Sequence, residues 1–516
     1  MAERTLEQAQ RAMDARLAAG SAAGTWCGAA FDSRRLAGGE LFFALPGARV
    51  DGHDFALAAA RRGAAGVVIH RDLEGLADAR ESAACAFLRV DDTFKALHAL
   101  TRAVRRELPE NLVAITGSSG KTTTKELLAA MLGQRFRVAR SPGNFNNLYG
   151  FPLALLGVPL DTEWMVAEMG MSTPGELAEV SRLGEPDAAL FTNVRPVHLE
   201  NFRSLRDIAE AKSELLAGLK PGGLVIANAD DPEVMRIARR HHEARGGRLL
   251  TYGLRSPADV TASEPQTLSG GSPGAPRVGC FFDLRFRLDS SAGRGEQRIE
   301  LPIHGLYNVE NCLAAATCAL ELGVTPRQIA GAVAEFRPAS MRGEVLRLGA
   351  TAGRAGGITV IDDSYNSNPD AAARALESAR LLPARRRVAI LGDMLELGPE
   401  EDAFHRQVGK RAAELGFEHV VAVGELSRHL HAAAEEHGAR STWFASATAV
   451  ASWLATKPAI EGGAGGARQL GAGDLVVIKG SRGVGLERAV AALRELYGDG
   501  GGGDLEAKST GGGGRD

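Results

Sequence analysis

The chain has 516 residues, enough for about two to four domains with large cores. A formal net charge of −3 gives no global basic field, which argues against nucleic acid or an anionic membrane surface as a partner. No apolar run approaches the ~18 residues of a membrane span, and the five cysteines include no C-x-x-C pair to suggest zinc or a disulfide framework.

The N-terminal stretch MAERTLEQAQRAMDARLAAG is polar and mixed in charge, unlike a secretion signal, so a soluble cytoplasmic protein is expected. Residues 1–107 read as a small α/β domain with buried strands at Gly66–Ile69 and Phe87–Val90. From 108 to 336, strand-like runs at Leu112–Ile115, Trp164–Glu168, Ala188–Asn193 and Leu224–Asn228 alternate with helical spacing. That alternation predicts a doubly wound, mostly parallel α/β sheet. Within an insertion at about 256–296, the Ser-, Pro-, Gly- and Thr-rich residues 256–279 and residues 289–296 are expected to be loop and hairpin tip. Cys312 and Cys318 lie in an Ala-rich helical stretch and read as small core residues.

A third block, 337–498, repeats the alternation and predicts a Rossmann-like domain. Its strands fall at Ile358–Asp362, Val388–Leu391, His419–Val423 and Leu475–Lys479; helices fall near 369–381, 402–415, 446–455 and 485–497. It lacks G-x-G-x-x-G after its first strand. The segment around 462–473 reads as loop, and the Gly-rich residues 499–516 as a disordered tail.

Ile115-Thr116-Gly117-Ser118-Ser119-Gly120-Lys121-Thr122-Thr123-Thr124 joins a strand to a helix. Glycines at such a turn let backbone N–H groups converge on a phosphate, and the helix N-terminus adds partial positive charge. Lys121 would neutralise phosphate oxygens, and the Thr122 hydroxyl would face Mg²⁺. The common G-x-x-x-x-G-K-[ST] loop would need glycine at Ile115, so this is a shorter G-x-x-G-K-T variant. Glu168 closes its strand where ligands collect in open α/β sheets and is a candidate Mg²⁺ ligand. Thr173-Pro174-Gly175-Glu176 fits a capping box with Thr173 as N-cap, which makes Glu176 structural. His198 follows a central strand opposite the P-loop. Lys212, in a helix predicted over Leu205–Leu219, reads as a solvated lysine paired along the helix. Asn308 and Asn311 begin a helix, and capping accounts for one of them but not comfortably both.

Several separated stretches together resemble the Mur ligases, ATP-dependent amide-forming enzymes of peptidoglycan synthesis. They are FDSRRLAGGELFFALPGARVDGHDF, ITGSSGKTTTKELL, SPGNFNNLYGFPLALL, VAEMGMSTPGEL, DDSYNSNPDA, ILGDMLELG and VVIKGSRGVGLE. The likeness spans about residues 30–492 and points to the branch that adds D-alanyl-D-alanine to a UDP-N-acetylmuramoyl-tripeptide.

The resemblance implies an N-terminal domain for the UDP-sugar-peptide, with Ser33 and Arg34 at its uridine diphosphate end. It implies ATP phosphates on Gly117, Ser118, Ser119, Gly120, Lys121, Thr122 and Thr123, and Mg²⁺ on Thr122 and Glu168, with a second ion at His198. Lys212 aligns with a lysine that is carbamylated in relatives, which would make it an anionic oxygen ligand. Asn308, Arg342 and Asp363 would reach the nucleotide. Asn144, Asn146 and Asn147 are candidate sugar or peptide contacts, and Tyr365, Asn366 and Asn368 lie where the dipeptide is expected. Tyr307 stands where the family more often has histidine, and the 256–296 insertion exceeds the usual length. A monomer acting on small molecules, without nucleic acid or membrane insertion, is the expected state. The alternatives are another Mur-type amide ligase, diamino-acid-adding or folylpolyglutamate synthetase-like, and a P-loop ATPase that makes no amide.

Overall fold

The computed structural model describes residues 4–47, 50–74, 76, 85–108, 111–197, 199–268, 271–272, 275–276, 278–349, 357–456, 460–462 and 466–498. Three principal sheets follow one another along the chain. The first has five strands, ordered Arg16–Ala19, Ala86–Arg89, Gly66–Ile69, Leu41–Phe43 and Ala29–Ala30. All neighbours in it are parallel except the first pair.

The second sheet has ten strands and places Leu112–Thr116 between Trp164–Glu168 and Ala188–Phe191, parallel to both. Strand order therefore runs in opposite directions on the two sides of the P-loop strand. A crevice opens at such a switch point, beyond the carboxyl ends of the strands. Leu112 to Thr116 are all buried, which is why this strand reads as an unbroken apolar run rather than an alternating one. The P-loop helix, Lys121–Leu132, packs on the Ala-rich helix Tyr307–Glu321. Cys312, Ala314, Ala315, Ala316 and Cys318 of that second helix are wholly buried, and their small size lets the helices approach closely. Cys312 and Cys318 are thus core residues, as expected.

The third sheet has six strands. Ile358–Asp363, Asp474–Lys479, Arg386–Gly392, His419–Val423 and Arg440–Phe444 are parallel, and Glu344–Leu348 adds an antiparallel edge. The chain is therefore α/β throughout, with a mostly parallel P-loop sheet and a Rossmann-like third sheet.

Several local expectations need correction. Residues 256–279 are not simply loop, because Val260–Ala262 and Gln266–Thr267 join the central sheet, whereas the hairpin turn expected at 289–296 falls between Cys280–Arg287 and its antiparallel partner Arg294–Leu301. Cys280, Phe282, Leu284 and Phe286 face inward in strict alternation, so a buried face holds this hairpin in register. The strand expected to reach Asn193 ends at Phe191. The helix expected over Leu205–Leu219 is α-helical only through Ser213 and tightens into a 3-10 turn at Glu214–Ala217. In the segment expected to be loop, Gly466–Arg468 pairs antiparallel with Ile460–Gly462. Residues 499–516 lie outside the described residues.

One core histidine makes stability depend on acid. His419 is buried in the third sheet, with Nε2 3.0 Å from Thr442 Oγ1 and Nδ1 without a partner. Burial, reinforced by Arg386 and Arg440 nearby, pushes it down to about 4. The unfolded chain takes up this proton near pH 6.5 and the folded chain only near 4, so the contribution is complete above 6.5 and is lost as pH falls between them. His419→Gln should flatten urea stability against pH in that window by about one proton, ~1.4 kcal/mol per pH unit. Equal slopes in the two proteins would refute this.

Candidate active site

The P-loop is shaped from both sides. Gly117 has φ 151°, and a Cβ there would lie 1.8 Å from Thr192 Oγ1; Gly120 has φ 81°, and its Cβ would lie 2.2 Å from Asn311 Oδ1. Close approach by neighbouring strands and helices thus requires both glycines. Asn193 clasps the loop: its carbonyl accepts from Ser118 N–H at 2.9 Å and its Oδ1 from Ser119 N–H at 3.0 Å. The Ser118 and Ser119 N–H groups are thereby already engaged within the protein. The helix begins at Lys121 without a side-chain cap, which leaves its first N–H groups without intrahelical acceptors. Lys121 Nζ donates to Gly117 O at 2.9 Å, so the side chain already curls over the loop.

Glu168 lies beside this loop with both oxygens engaged. Thr122 Oγ1 donates to Oε2 at 2.6 Å, and Asn146 Nδ2 donates to Oε1 at 2.8 Å. Burial pushes this carboxyl up, but Lys121, Thr122, Arg342 and Asn146 together outweigh it and hold Glu168 below the usual range. Burial lowers Lys121, against the opposing pull of Glu168. Lys212 departs most from expectation. It is not solvated but buried, at 4% exposure, with no hydrogen bond or ion pair among the described residues. Burial, with Lys121 nearby, drives its amine well below the ordinary lysine range. His198 lies outside the described residues.

The loop and Glu168 face the third sheet across a cleft of about 380 Å³, within the range of small-molecule sites. Of the residues singled out in the sequence, the cleft gathers Gly117–Thr123, Asn144, Asn146, Asn147, Glu168, Lys212, Asn308, Arg342, Asp363, Tyr365, Asn366 and Asn368. Ser33 and Arg34 do not line it. Ser33 is buried in the first domain, and Arg34 is exposed and paired with Asp32 at 2.9 Å.

Some asparagines have structural tasks. Asn147 Oδ1 accepts from Gly150 N–H at 2.8 Å, and Asn368 caps the helix Pro369–Arg380 by accepting from Ala371 N–H at 2.8 Å. Neither Asn308 nor Asn311 caps its helix. Asn311 Nδ2 donates to Asn308 Oδ1 at 2.9 Å and Asn308 Nδ2 to His304 O at 2.5 Å, a buried chain that braces Gly120. Of the expected capping box at Thr173 only the Glu176 half forms, with no bond from the Thr173 hydroxyl to the helix start. Gly175, at φ 90°, delays the helix to Glu176, whose carboxylate accepts instead from Ser172 and Thr173 N–H.

Two contributors escaped the sequence reading. Asn193 sits one turn beyond its strand and carries no motif. Lys479 closes the strand Asp474–Lys479 and donates to Asp363 Oδ2 at 2.6 Å and Asn366 O at 2.9 Å, which fixes the loop facing the P-loop. Its place at a strand's carboxyl end is the signal that singled out Glu168, and it would have served here too.

A P-loop with a buried carboxylate beside it, facing a Rossmann-like sheet across one cleft, has the form of a nucleotide-binding site shared between domains. Comparison with known proteins makes the class specific. Residues 28–105 match the model "Mur ligase family, catalytic domain", 115–319 "Mur ligase middle domain", and 347–482 "Mur ligase, glutamate ligase domain". The chain is 33% identical over 470 residues to UDP-N-acetylmuramoyl-tripeptide--D-alanyl-D-alanine ligase of Bacillus subtilis, covering 91% of this chain and 93% of that one. Among solved structures it resembles MurF from Acinetobacter baumannii, with a TM-score of 0.76, 27% identity and coverage of 96% and 99%. It also resembles MurF ligase from Thermotoga maritima in complex with ADP, with a TM-score of 0.69, 25% identity and coverage of 90% and 97%. The chain belongs to the Mur ligase family.

The contact between Gly120 and Asn311 yields a direct test. Gly120→Ala adds a methyl where φ is positive and an amide oxygen already stands, so Mg-ATP affinity should fall by about tenfold or more. Titration calorimetry reads this, and wild-type affinity in the variant would show that the close approach is dispensable.

Proposed function

We propose that the chain joins D-alanyl-D-alanine to a UDP-N-acetylmuramoyl-tripeptide with hydrolysis of ATP to ADP and phosphate. The observation that carries this is likeness along nine-tenths of the chain to ligases of that name, with the P-loop and the third sheet opening onto one cleft. A carboxylate is a poor electrophile. Transfer of the γ-phosphoryl group to the tripeptide's terminal carboxylate expels ADP and leaves an acyl phosphate. The free amine of the dipeptide then attacks the acyl carbon, phosphate departs, and the ammonium's protons are released.

The barrier to the first step is electrostatic, because one anion must approach another. Lys121 and the N–H groups of the helix start neutralise and orient the phosphates. Thr122 and Glu168 offer buried, hard oxygen donors side by side and fit Mg²⁺, with His198 as the further candidate ligand; the ion would supply charge neutralisation at the phosphates. Asn308, Arg342 and Asp363 are assigned to the nucleotide, and Asn144, Asn146 and Asn147 to the sugar or peptide. Tyr365, Asn366 and Asn368 are assigned to the incoming dipeptide, and Ser33 and Arg34 to the uridine diphosphate end. The domain limits are set at 107, 336 and 498. The reading includes a cytoplasmic, monomeric enzyme; no described helix is long and apolar enough to cross a membrane.

The decisive assay supplies Mg-ATP with both substrates together and with each alone. Phosphate release that needs both, with a product heavier by the dipeptide, is expected. Release indifferent to both would replace the ligase by a simple ATPase, and release with a different amino donor would move the chain to another branch of the family.

Lys212 provides a second test. Burial disfavours the charged form of the Lys212 amine and so favours its reaction with CO₂, and the resulting carbamate is an anion that suits the neighbouring Lys121. Activity should fall in CO₂-depleted buffer and recover with bicarbonate, while Lys212→Ala should be inactive under both conditions. Activity unaffected by CO₂ would leave Lys212 an ordinary amine.

A further inference from the structure

The helix Pro369–Arg380 carries the loop that faces the P-loop, since Asn368 is its cap and Asp363–Ser367 lead directly into it. Its first two turns are gripped by charges from the central domain. Asp370 Oδ2 lies 3.2 Å from Arg374 Nε and 3.6 Å from Arg195 Nε. Arg374 NH1 donates to Glu310 Oε2 at 3.1 Å, and Arg195 NH1 donates to Asp231 Oδ2 at 2.7 Å. The result is an alternating row, Glu310–Arg374–Asp370–Arg195–Asp231, that crosses from one domain to the other and back.

Isolated pairs on a surface contribute little. This row differs because its side chains range from 1% exposed at Asp231 to 34% at Asp370, and because each inner member has two partners. Its central-domain ends are also tied to the phosphate loop. Arg195 N–H donates to Ser118 Oγ at 2.8 Å, and Ser118 Oγ donates to Arg195 O at 3.0 Å. Glu310 lies between Asn308 and Asn311, which brace Gly120. A shift of the P-loop is therefore passed to both ends of the grip.

We propose that Arg195, Glu310, Asp370 and Arg374 are positioning residues that set the register of the Asp363–Asn368 loop against the P-loop. The inference rests on the ligase reading: the dipeptide assigned to that loop must bring its amine within bond-forming distance of the activated acyl carbon, and a displacement of about 1 Å costs rate on the order of a hundredfold.

The test uses the full chain with Arg374→Gln, Asp370→Asn, the conservative Arg374→Lys, and the reversed pair Glu310→Arg with Arg374→Glu. Two readouts are taken: steady-state kinetics of amide formation, and amide hydrogen exchange over residues 363–376 with Mg-ATP bound. Arg374→Gln and Asp370→Asn should each lower kcat/KM for the dipeptide on the order of tenfold and speed exchange over 363–376, while the Kd for Mg-ATP stays within about twofold. Arg374→Lys should restore part of the loss, and the reversed pair should exceed Arg374→Glu alone, whose new carboxylate would face both Glu310 and Asp370. Wild-type kcat/KM with unchanged exchange in both neutral variants would overturn the proposal, as would an equal loss of Mg-ATP affinity. A wild-type protein that forms no amide would instead sink the ligase reading, and the exchange measurement would still decide whether the row docks the loop.

Discussion

Lys121 and Arg342 converge on a buried carboxylate, Glu168, and the rest of the site is arranged around that excess of positive charge. Two unit charges about 4 Å apart interact by ~4 kcal/mol at the effective dielectric of a protein near its surface. An uncompensated cluster is tolerable only where water or a bound anion can enter. A polyphosphate supplies the missing negative charge, and the P-loop supplies directed N–H groups where that charge must sit. The third domain follows the opposite rule. Lys479 is already paired with Asp363, and Arg374 with Glu310 and Asp370, so these two cations reach the cleft without adding to the repulsion, whereas Arg342 adds to it.

The parts of this arrangement that depend on one segment at a time were legible in the sequence. Trp164–Glu168, Leu224–Asn228 and His419–Val423 have the expected bounds, because unbroken apolar runs between turn residues leave few alternatives. Glu168 was legible for the same reason, as the first polar residue after such a run. Lys212 was not. AEAKSELL has the pattern of an exposed helix, and only packing of Leu205–Ser213 against the central domain turns this lysine inward. Its importance came from resemblance, and its burial from the fold.

The other failures share that origin. T-P-G-E satisfies the local pattern of a capping box, yet Glu214, 39 residues beyond Gly175, accepts the Gly175 N–H and settles where the helix starts. Asn308 and Asn311 looked like competing caps, but the first turn of their helix is pressed against Gly120, and their amides bond to one another instead. Residues 256–279 read as loop from their Ser, Pro, Gly and Thr content, yet Val260–Ala262 joins the sheet, while the alternation in CFFDLRFR just beyond them matches a strand with one buried face. Composition describes what a segment lacks; periodicity describes the face it must bury.

The two halves of the cleft are also joined through the backbone. Met341 holds φ at 63°, costly for a residue with a side chain, and its carbonyl accepts from Tyr365 N–H at 3.1 Å. The next residue, Arg342, stacks on the Tyr365 ring at 3.9 Å, and Gly343 N–H donates to Asp362 O at 2.9 Å. Arg342 is thereby bound to the third sheet although its charge acts on Lys121 and Glu168 in the second. The electrostatics of the phosphate site are consequently complete only while the third sheet stands against it. The arrangement that brings the Arg342 charge to Lys121 and Glu168 is therefore the same one that sets the Asp363–Asn368 loop against the P-loop.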